Sequence, residues 1–306
     1  MTWVSLVALV LIEVLSRWIL SVFYDRRFPS ELVQVDRYGS SNGLVPSRGG
    51  AVWGARFSSD PLGGRTVENA CDTCAYWLHL GDSVAEGVGV DDSSTASSRT
   101  ARATPDLRVI NLAHIGHSTC DERNVLSAWI DTCTRVARVT VLYTLNDVYG
   151  EASAGDLPDA GRRDGLAGAR RWLEAHYATY RALKLFLLQG SDSYYRYDAG
   201  YYRADDPHFL QAMACVDSIQ ALCAASGSDL EVVMLPYRSQ VDGNDDPIPQ
   251  EMVRAHCASA GIPFMDVLPA FRRAGRSAEL YLFADEIHLS EQGHAMLARI
   301  LLEDRP

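Results

Sequence analysis

Tyr76-Trp77-Leu78-His79-Leu80-Gly81-Asp82-Ser83-Val84-Ala85-Glu86-Gly87 is an apolar run that stops at Gly-Asp-Ser and resumes with small residues. That pattern reads as a buried strand turning into a helix. Ser83 then stands at the carboxyl end of the strand, the edge where open α/β sheets place their ligands. Backbone N–H groups at the helix start would face a developing oxyanion there. A serine hydroxyl is a weak nucleophile, so it needs a base, and the base needs an orienting group.

Outward from this stretch, short apolar runs alternate with longer amphipathic ones. The runs are Tyr76–Leu80, Leu107–Asn111, Val136–Tyr143, Leu230–Leu235 and Ile262–Val267, and helices are expected near 120–134, 163–189, 208–226, 248–260 and 290–303. Strands separated by helices imply right-handed crossovers and a parallel sheet of about five strands. The expected fold class is α/β, preceded by an N-terminal apolar helix.

The chain has 306 residues, long enough for one large domain and an appendage. Its formal net charge of −11, with no basic stripe, argues against nucleic acid as a partner. Seven cysteines cannot all pair within one chain. Small buried thiols are the expectation for them, with a Cys71–Cys74 bridge in an oxidising compartment as the alternative.

Residues 1–27 are expected to form the apolar helix. The stretch 3–24 is interrupted by Glu13, Ser16 and Arg17, is long enough to cross a bilayer, and is followed by Arg26 and Arg27. Glu13 and Arg17, one turn apart, would partly neutralise each other. Membrane association is the expectation; an amphipathic helix lying on a membrane or on the domain is the alternative. Arg26 and Arg27 would place the following domain in the cytoplasm. Residues 28–74, rich in Gly, Ser, Pro and Arg, read as an irregular lead-in. A domain over 75–306 follows, with an insert around 148–207. That insert carries Tyr194, Tyr195, Tyr197, Tyr201 and Tyr202, read either as a contact surface for sugars or acyl chains or as a loop packing its own aromatics.

Near the C-terminus, Asp285-Glu286-Ile287-His288 precedes Ser290, which can cap a final helix. A three-residue separation on a turn lets the Asp285 carboxylate bond one imidazole nitrogen of His288 while the other faces outward. His294, on the helix face, reads as structural. Asn111-Leu112-Ala113-His114-Ile115-Gly116-His117 follows the second strand, where Gly116 can bring a backbone N–H close to a ligand. Tyr143-Thr144-Leu145-Asn146-Asp147 ends the third strand and leaves the Asn146 amide at the same sheet edge. The N–H groups of Ser83 and Gly116 and the Asn146 side chain would together make a three-donor oxyanion hole.

These four stretches, in this order, resemble the blocks of the SGNH/GDSL hydrolase family over roughly residues 75–304. The resemblance implies a flavodoxin-like three-layer α/β/α sandwich and serine-dependent ester hydrolysis without metal or other cofactor. It assigns Ser83, Asp285 and His288 as catalytic, and Ser83, Gly116 and Asn146 as the oxyanion hole. Asp82, His114, His117, Thr144 and the five tyrosines are candidate pocket-lining residues. The implied substrates are lipids, thioesters or acetylated sugars, that is, small-molecule esters. Thr144 stands where the family has glycine, and His114 where many members have something smaller. The apolar N-terminal helix is similar to that of membrane-anchored bacterial members, whose catalytic domain lies outside the cytoplasm, against the arginine count. Acyl transfer to an alcohol by the same triad, and a non-catalytic carbohydrate-binding or scaffold role, are the alternatives.

Other motifs carry less. His114, His117 and Cys120 lack a converging second set of metal ligands. Asp242-Gly243-Asn244-Asp245-Asp246 resembles a calcium loop only in composition and reads as a solvated turn, because Val253 stands where the closing glutamate belongs. Ser118 fails the G-x-S-x-G pattern at Cys120, and no phosphate loop is present.

Overall fold

The computed structural model describes residues 3–23, 28–69, 71, 73–130, 133, 135–149, 172–173, 175–176, 177–183 and 192–303. Its centre is a five-stranded sheet. With β1 (Val33–Tyr38), β2 (Ser41–Leu44), β3 (Gly49–Val52) and β4 (Ala55–Ser58) preceding it, the sheet comprises β5 (Ala75–Gly81), β6 (Leu107–Asn111), β7 (Val136–Tyr143), β8 (Asp229–Met234) and β9 (Phe264–Asp266). All pairings are parallel and the spatial order is β6-β5-β7-β8-β9. That is the flavodoxin-like order, with the first crossover running one way from β5 and the rest the other. The switch point lies at β5, whose carboxyl end carries Asp82 and Ser83.

Alternation along the strands builds two cores, because successive side chains point to opposite faces. Leu78, Leu80, Val139, Val141, Val232 and Met234 face helices Thr119–Ile130, Pro207–Ser226 and Ile248–Ala260. Trp77, Leu142 and Val233 face helices Ala96–Ala103, Leu268–Ala274 and Glu291–Glu303. The strands are buried on both sides, so they read as near-continuous apolar runs.

The lead-in differs from the expectation. Residues 33–58 form two antiparallel hairpins, β1–β2 and β3–β4. Their strands are only four to six residues long, too short for an apolar–polar alternation such as Val33-Gln34-Val35-Asp36 to mark a strand in sequence. Leu32, Leu44, Val52 and Phe57 make a third core with Val88, just beyond the short helix Ser83–Glu86. Arg65, 1% exposed, fastens this layer down: it pairs with Asp92 at 3.2 Å and donates to the carbonyls of Glu86, Gly87 and Val90.

Two further expectations change. Cys71 is bonded to Cys74 and Cys120 to Cys215, while Cys133, Cys223 and Cys257 are free thiols. The Cys120–Cys215 bridge joins two helices 95 positions apart in sequence, a proximity created only by folding. The tyrosine-rich stretch, read as a loop, contains the helix Asp192–Ala199. Of the helix expected over 163–189, Ala178–Leu183 is described and most of the remainder lies outside the described residues, as do Arg26 and Arg27.

Trp3–Phe23 is helical, with Glu13 and Arg17 paired at 2.9 Å. Glu13 also accepts from the backbone N–H groups of Ala178 and Thr179 and from the Thr179 hydroxyl, so it caps the helix Ala178–Leu183. Among the described residues Pro207–Ser226 passes for a membrane span by length and composition. It is a core helix, with Phe209, Ala212, Met213, Val216 and Ile219 buried against the sheet.

Candidate active site

β5 ends at Gly81, where a Cβ would lie 2.5 Å from the Ala85 Cβ and 2.8 Å from the Leu142 carbonyl oxygen, so only glycine permits the turn. Asp82 caps the four-residue helix Ser83–Glu86, its Oδ1 accepting from Val84 N at 2.9 Å. Gly87, at φ 82°, stops that helix. The Ser83 hydroxyl is thereby held at the sheet edge in a fixed direction.

His288 Nε2 lies 2.9 Å from Ser83 Oγ. Its Nδ1 lies 3.0 and 3.1 Å from the two Asp285 carboxylate oxygens. Asp285, 3% exposed, is itself fixed by the backbone N–H groups of Ile287 and His288, each 2.8 Å from Oδ1. The turn is closed by Leu282 N donating to the His288 carbonyl at 2.9 Å. A hydroxyl, an imidazole and a carboxylate thus stand in one hydrogen-bonded line, the arrangement that lets an imidazole take and return a proton.

Asn146 follows β7 in a short turn. Thr144 N donates to Asp147 Oδ2 at 2.6 Å, and Thr119 Oγ1 donates to the Asp147 carbonyl at 3.0 Å. Asn146 Nδ2 donates to Asp82 Oδ2 at 3.0 Å, and Thr144 Oγ1 donates to Asp82 Oδ1 at 3.1 Å. The hydroxyl at position 144 therefore binds the helix cap directly. Gly116 adopts φ 80°, and a Cβ built there meets nothing within 4 Å, so the loop is open at that position. That loop is tied to the Ser83 helix by Glu86, whose carboxylate pairs with His114 Nδ1 at 3.1 Å and accepts from Ile115 N at 2.9 Å.

The remaining candidates separate. His114 and His117 are buried, the first on Glu86 and the second with Nε2 donating to the Asn42 carbonyl at 3.0 Å. His114 packs edge-on against Phe28 and His117 bonds Asn42, so both join the lead-in to the domain. Cys120 is committed to its disulfide, and among the described residues no group of three or more His, Cys, Asp and Glu is arranged to hold a metal. Tyr195 and Tyr202 belong to the core, donating to the carbonyls of Asp246 and Leu145. Tyr197 and Tyr201 bond each other at 2.8 Å, and Tyr194 is exposed. Two of the five tyrosines are thus packed as core, in keeping with the loop-packing alternative for those two.

Sequence reasoning passed over several residues. Tyr237, just past the end of β8, donates to Asn146 Oδ1 at 3.3 Å and to the Asp198 carboxylate, which also accepts from Tyr149. Its strand-end position was the only available signal. Trp53, in the β3–β4 turn, packs edge-to-face on His288 with ring centres 4.6 Å apart, and nothing in sequence pointed to it.

Burial sets the charge states around this site. It pushes the carboxyls of Glu122 and Asp147 well above the usual range, reinforced in both by nearby Asp82. It raises Asp198 to about 6 against the pull of the Tyr149 and Tyr237 hydroxyls. It lowers His117 to about 4, with His114 adding to the effect. His294 falls to about 3, through burial and then the charges of Arg65 and Arg99. Its Nδ1 accepts from Ala96 N at 3.2 Å, a structural task.

The sequence model of the GDSL-like lipase/acylhydrolase family matches residues 79–296, which contain Ser83, Gly116, Asn146, Asp285 and His288. The chain belongs to the GDSL-like lipase/acylhydrolase family. This is a family of hydrolases, and ester hydrolysis is its general chemistry. Solved structures similar to this family member include a lipolytic G-D-S-L protein from Veillonella parvula DSM 2008 (14% identity, 75% of this chain and 97% of that one, TM-score 0.44). Another is TesA (15% identity, 74% and 96%, TM-score 0.47). A third is Axe2, an acetylxylan esterase from Geobacillus stearothermophilus (16% identity, 75% and 93%, TM-score 0.43). Among curated proteins none matches the chain. At these identities nothing about substrate passes from the neighbours to this GDSL-like chain.

Proposed function

We propose that this chain hydrolyses a small carboxylic ester through an acyl-enzyme on Ser83. The observation that carries the reading is the unbroken line from Ser83 Oγ through His288 to Asp285, with contacts of 2.9 and 3.0 Å. His288 Nε2 takes the hydroxyl proton as Ser83 Oγ attacks the carbonyl carbon. Asp285 holds the tautomer and stabilises the imidazolium. The oxyanion is received by the N–H groups of Ser83 and Gly116 and by Asn146. The Asn146 Nδ2 carries two protons, so one bond to Asp82 can persist while the other proton turns to the oxyanion. Collapse releases the alcohol, which takes the proton from Nε2. Water then attacks the acyl carbonyl with His288 as base, and the acid departs. No cofactor enters this scheme.

The test is hydrolysis of p-nitrophenyl acetate by the wild-type and Ser83→Ala proteins. Loss of turnover in the variant, together with labelling of Ser83 by a fluorophosphonate, supports the assignment. Undiminished turnover overturns it.

The same reading divides the chain into an anchor over 1–27, a lead-in over 28–74 and a catalytic domain over 75–306 with an insert around 148–207. Leu6, Val7, Leu9, Val10, Leu11 and Ile12 are exposed in succession on the first helix, an apolar surface that a bilayer would cover. The two disulfides favour a catalytic domain outside the cytoplasm, in an oxidising compartment. Retention of the full chain in carbonate-washed membranes, with protease access from the outer side, is the expected result. Release by carbonate contradicts the anchor.

A further inference from the structure

The β3–β4 hairpin has a two-residue turn, since Val52 pairs with Ala55 and only Trp53 and Gly54 lie between. Both turn residues have positive φ, 53° at Trp53 and 82° at Gly54. Such turns match the strand twist but favour Asn-Gly or Gly-Gly. For a bulky side chain the left-handed region is disfavoured, and outliers of this kind cluster at functional sites. Trp53 accepts that strain in a position where asparagine or glycine would fold more readily.

The turn is held in place from several sides. Val52 and Phe57 are buried in the third core, and Arg65 stacks on the Phe57 ring at 4.5 Å. Arg56 N donates to Asp91 Oδ1 at 2.7 Å, and Ser58 donates through both N and Oγ to Asp92. Asp91 and Asp92 lie a few residues beyond the nucleophile helix, so the hairpin is registered on the same segment that carries Ser83. Gly89 lies beneath: a Cβ there would come within 2.7 Å of Leu282 and 3.7 Å of the Trp53 Cβ. Its lack of a side chain leaves room for Leu282 beside the turn, and Leu282 N is bonded to the His288 carbonyl. The indole then meets the His288 ring at 4.6 Å, with the planes 73° apart.

We infer that Trp53 is a positioning residue for His288, a wall supplied by the lead-in that confines the imidazole to the orientation facing Ser83. Trp53 precedes the family-matched segment 79–296, so the ring that meets His288 comes from outside that segment. The inference rests on the reading of His288 as the base. Its mechanism is steric and dispersive: an edge-to-face ring pair has a preferred geometry, and the indole blocks rotation of the imidazole away from the serine. A base that spends less time in reach of the hydroxyl lowers the rate of the acylation step without changing how the ester is held.

The test uses the full-length protein in detergent, with Trp53→Asn and Trp53→Phe. Asparagine suits the left-handed turn, so it preserves the hairpin while removing the ring; phenylalanine keeps a ring at a poorer turn. With p-nitrophenyl acetate, Trp53→Asn is expected to keep the wild-type Tm and KM and lose about tenfold in kcat, by analogy with the sensitivity of turnover to small misplacements. Trp53→Phe should recover most of that loss. A second readout needs no turnover: carbethoxylation of His288 by diethyl pyrocarbonate, followed by peptide mass spectrometry, should be faster in Trp53→Asn and near wild type in Trp53→Phe. Wild-type kcat with unchanged His288 modification in Trp53→Asn overturns the inference, as does Trp53→Phe behaving like Trp53→Asn in both assays. If the wild-type protein hydrolyses no ester, the functional reading fails, while the modification rates still decide whether the indole covers His288.

Discussion

The side-chain amide of Asn146 donates to the Asp82 carboxylate at 3.0 Å, joining the end of β7 to the residue before Ser83. Asp82 therefore does two tasks at once, capping the Ser83 helix and aiming the amide. The amide oxygen faces Tyr237, whose hydroxyl is 3.3 Å away, so the nitrogen is the end turned toward Asp82.

Asn146→Ala is accordingly expected to lower kcat by about 10²–10³ with little change in KM, because an oxyanion donor acts in the transition state. Steady-state kinetics with a short p-nitrophenyl ester measure this. A rise in KM at constant kcat would instead mark Asn146 as a substrate-binding group.

Asp285→Asn keeps the shape of the turn but offers the wrong partner to His288 Nδ1. Turnover should fall by up to about 10⁴ while circular dichroism stays that of the wild type. The fall reflects loss of tautomer control and of imidazolium stabilisation.

Acid should destabilise the fold through His117 and His294. Their folded values, about 4 and about 3, lie below the ordinary 6.5. The unfolded chain therefore binds more protons in that window, and stability present above 6.5 is lost as pH falls through it. Asp198 works in the opposite sense. Raised from 3.8 to about 6, it adds stability below its ordinary value, and that contribution is lost as pH rises through about 6. Urea midpoints taken between pH 7 and pH 4 should fall more steeply in Asp198→Asn than in wild type, and less steeply in His294→Gln, which retains an acceptor for Ala96 N.

Replacing Cys120 and Cys215 together by serine should cost about 2–5 kcal/mol, since the bridge closes a long loop of the unfolded chain. Urea unfolding of wild type with and without reductant, against the double variant, measures the loss. A variant as stable as oxidised wild type would show that the two helices hold each other without the bond.

Arg65→Ala should destabilise by about 3–5 kcal/mol, as expected when one partner of a buried ion pair is removed. It leaves the Asp92 carboxylate with Ser58 but without its cation, and takes a donor from the carbonyls of Glu86, Gly87 and Val90. Limited proteolysis should then cut first within residues 33–58, because the hairpin layer is fastened chiefly there.

The amino-acid sequence alone determined the parallel sheet, since strands buried on both faces must be continuous apolar runs and a crossover between parallel strands needs a helix. It determined the local machinery too: Gly-Asp-Ser at a strand end, a carboxylate three residues before a histidine, and a glycine and an amide at neighbouring strand ends. These are short-range patterns, fixed by turn geometry within a few residues. The hairpins at 33–58 were not legible, because strands of four to six residues are too short for their alternation to stand out. Nor was the pairing of Cys120 with Cys215, the tie from Asp198 through Tyr237 to Asn146, or the seat of Trp53 on His288. Each of these depends on distances between segments far apart in the chain. Local propensity has no bearing on such distances; they exist only once the layers have packed.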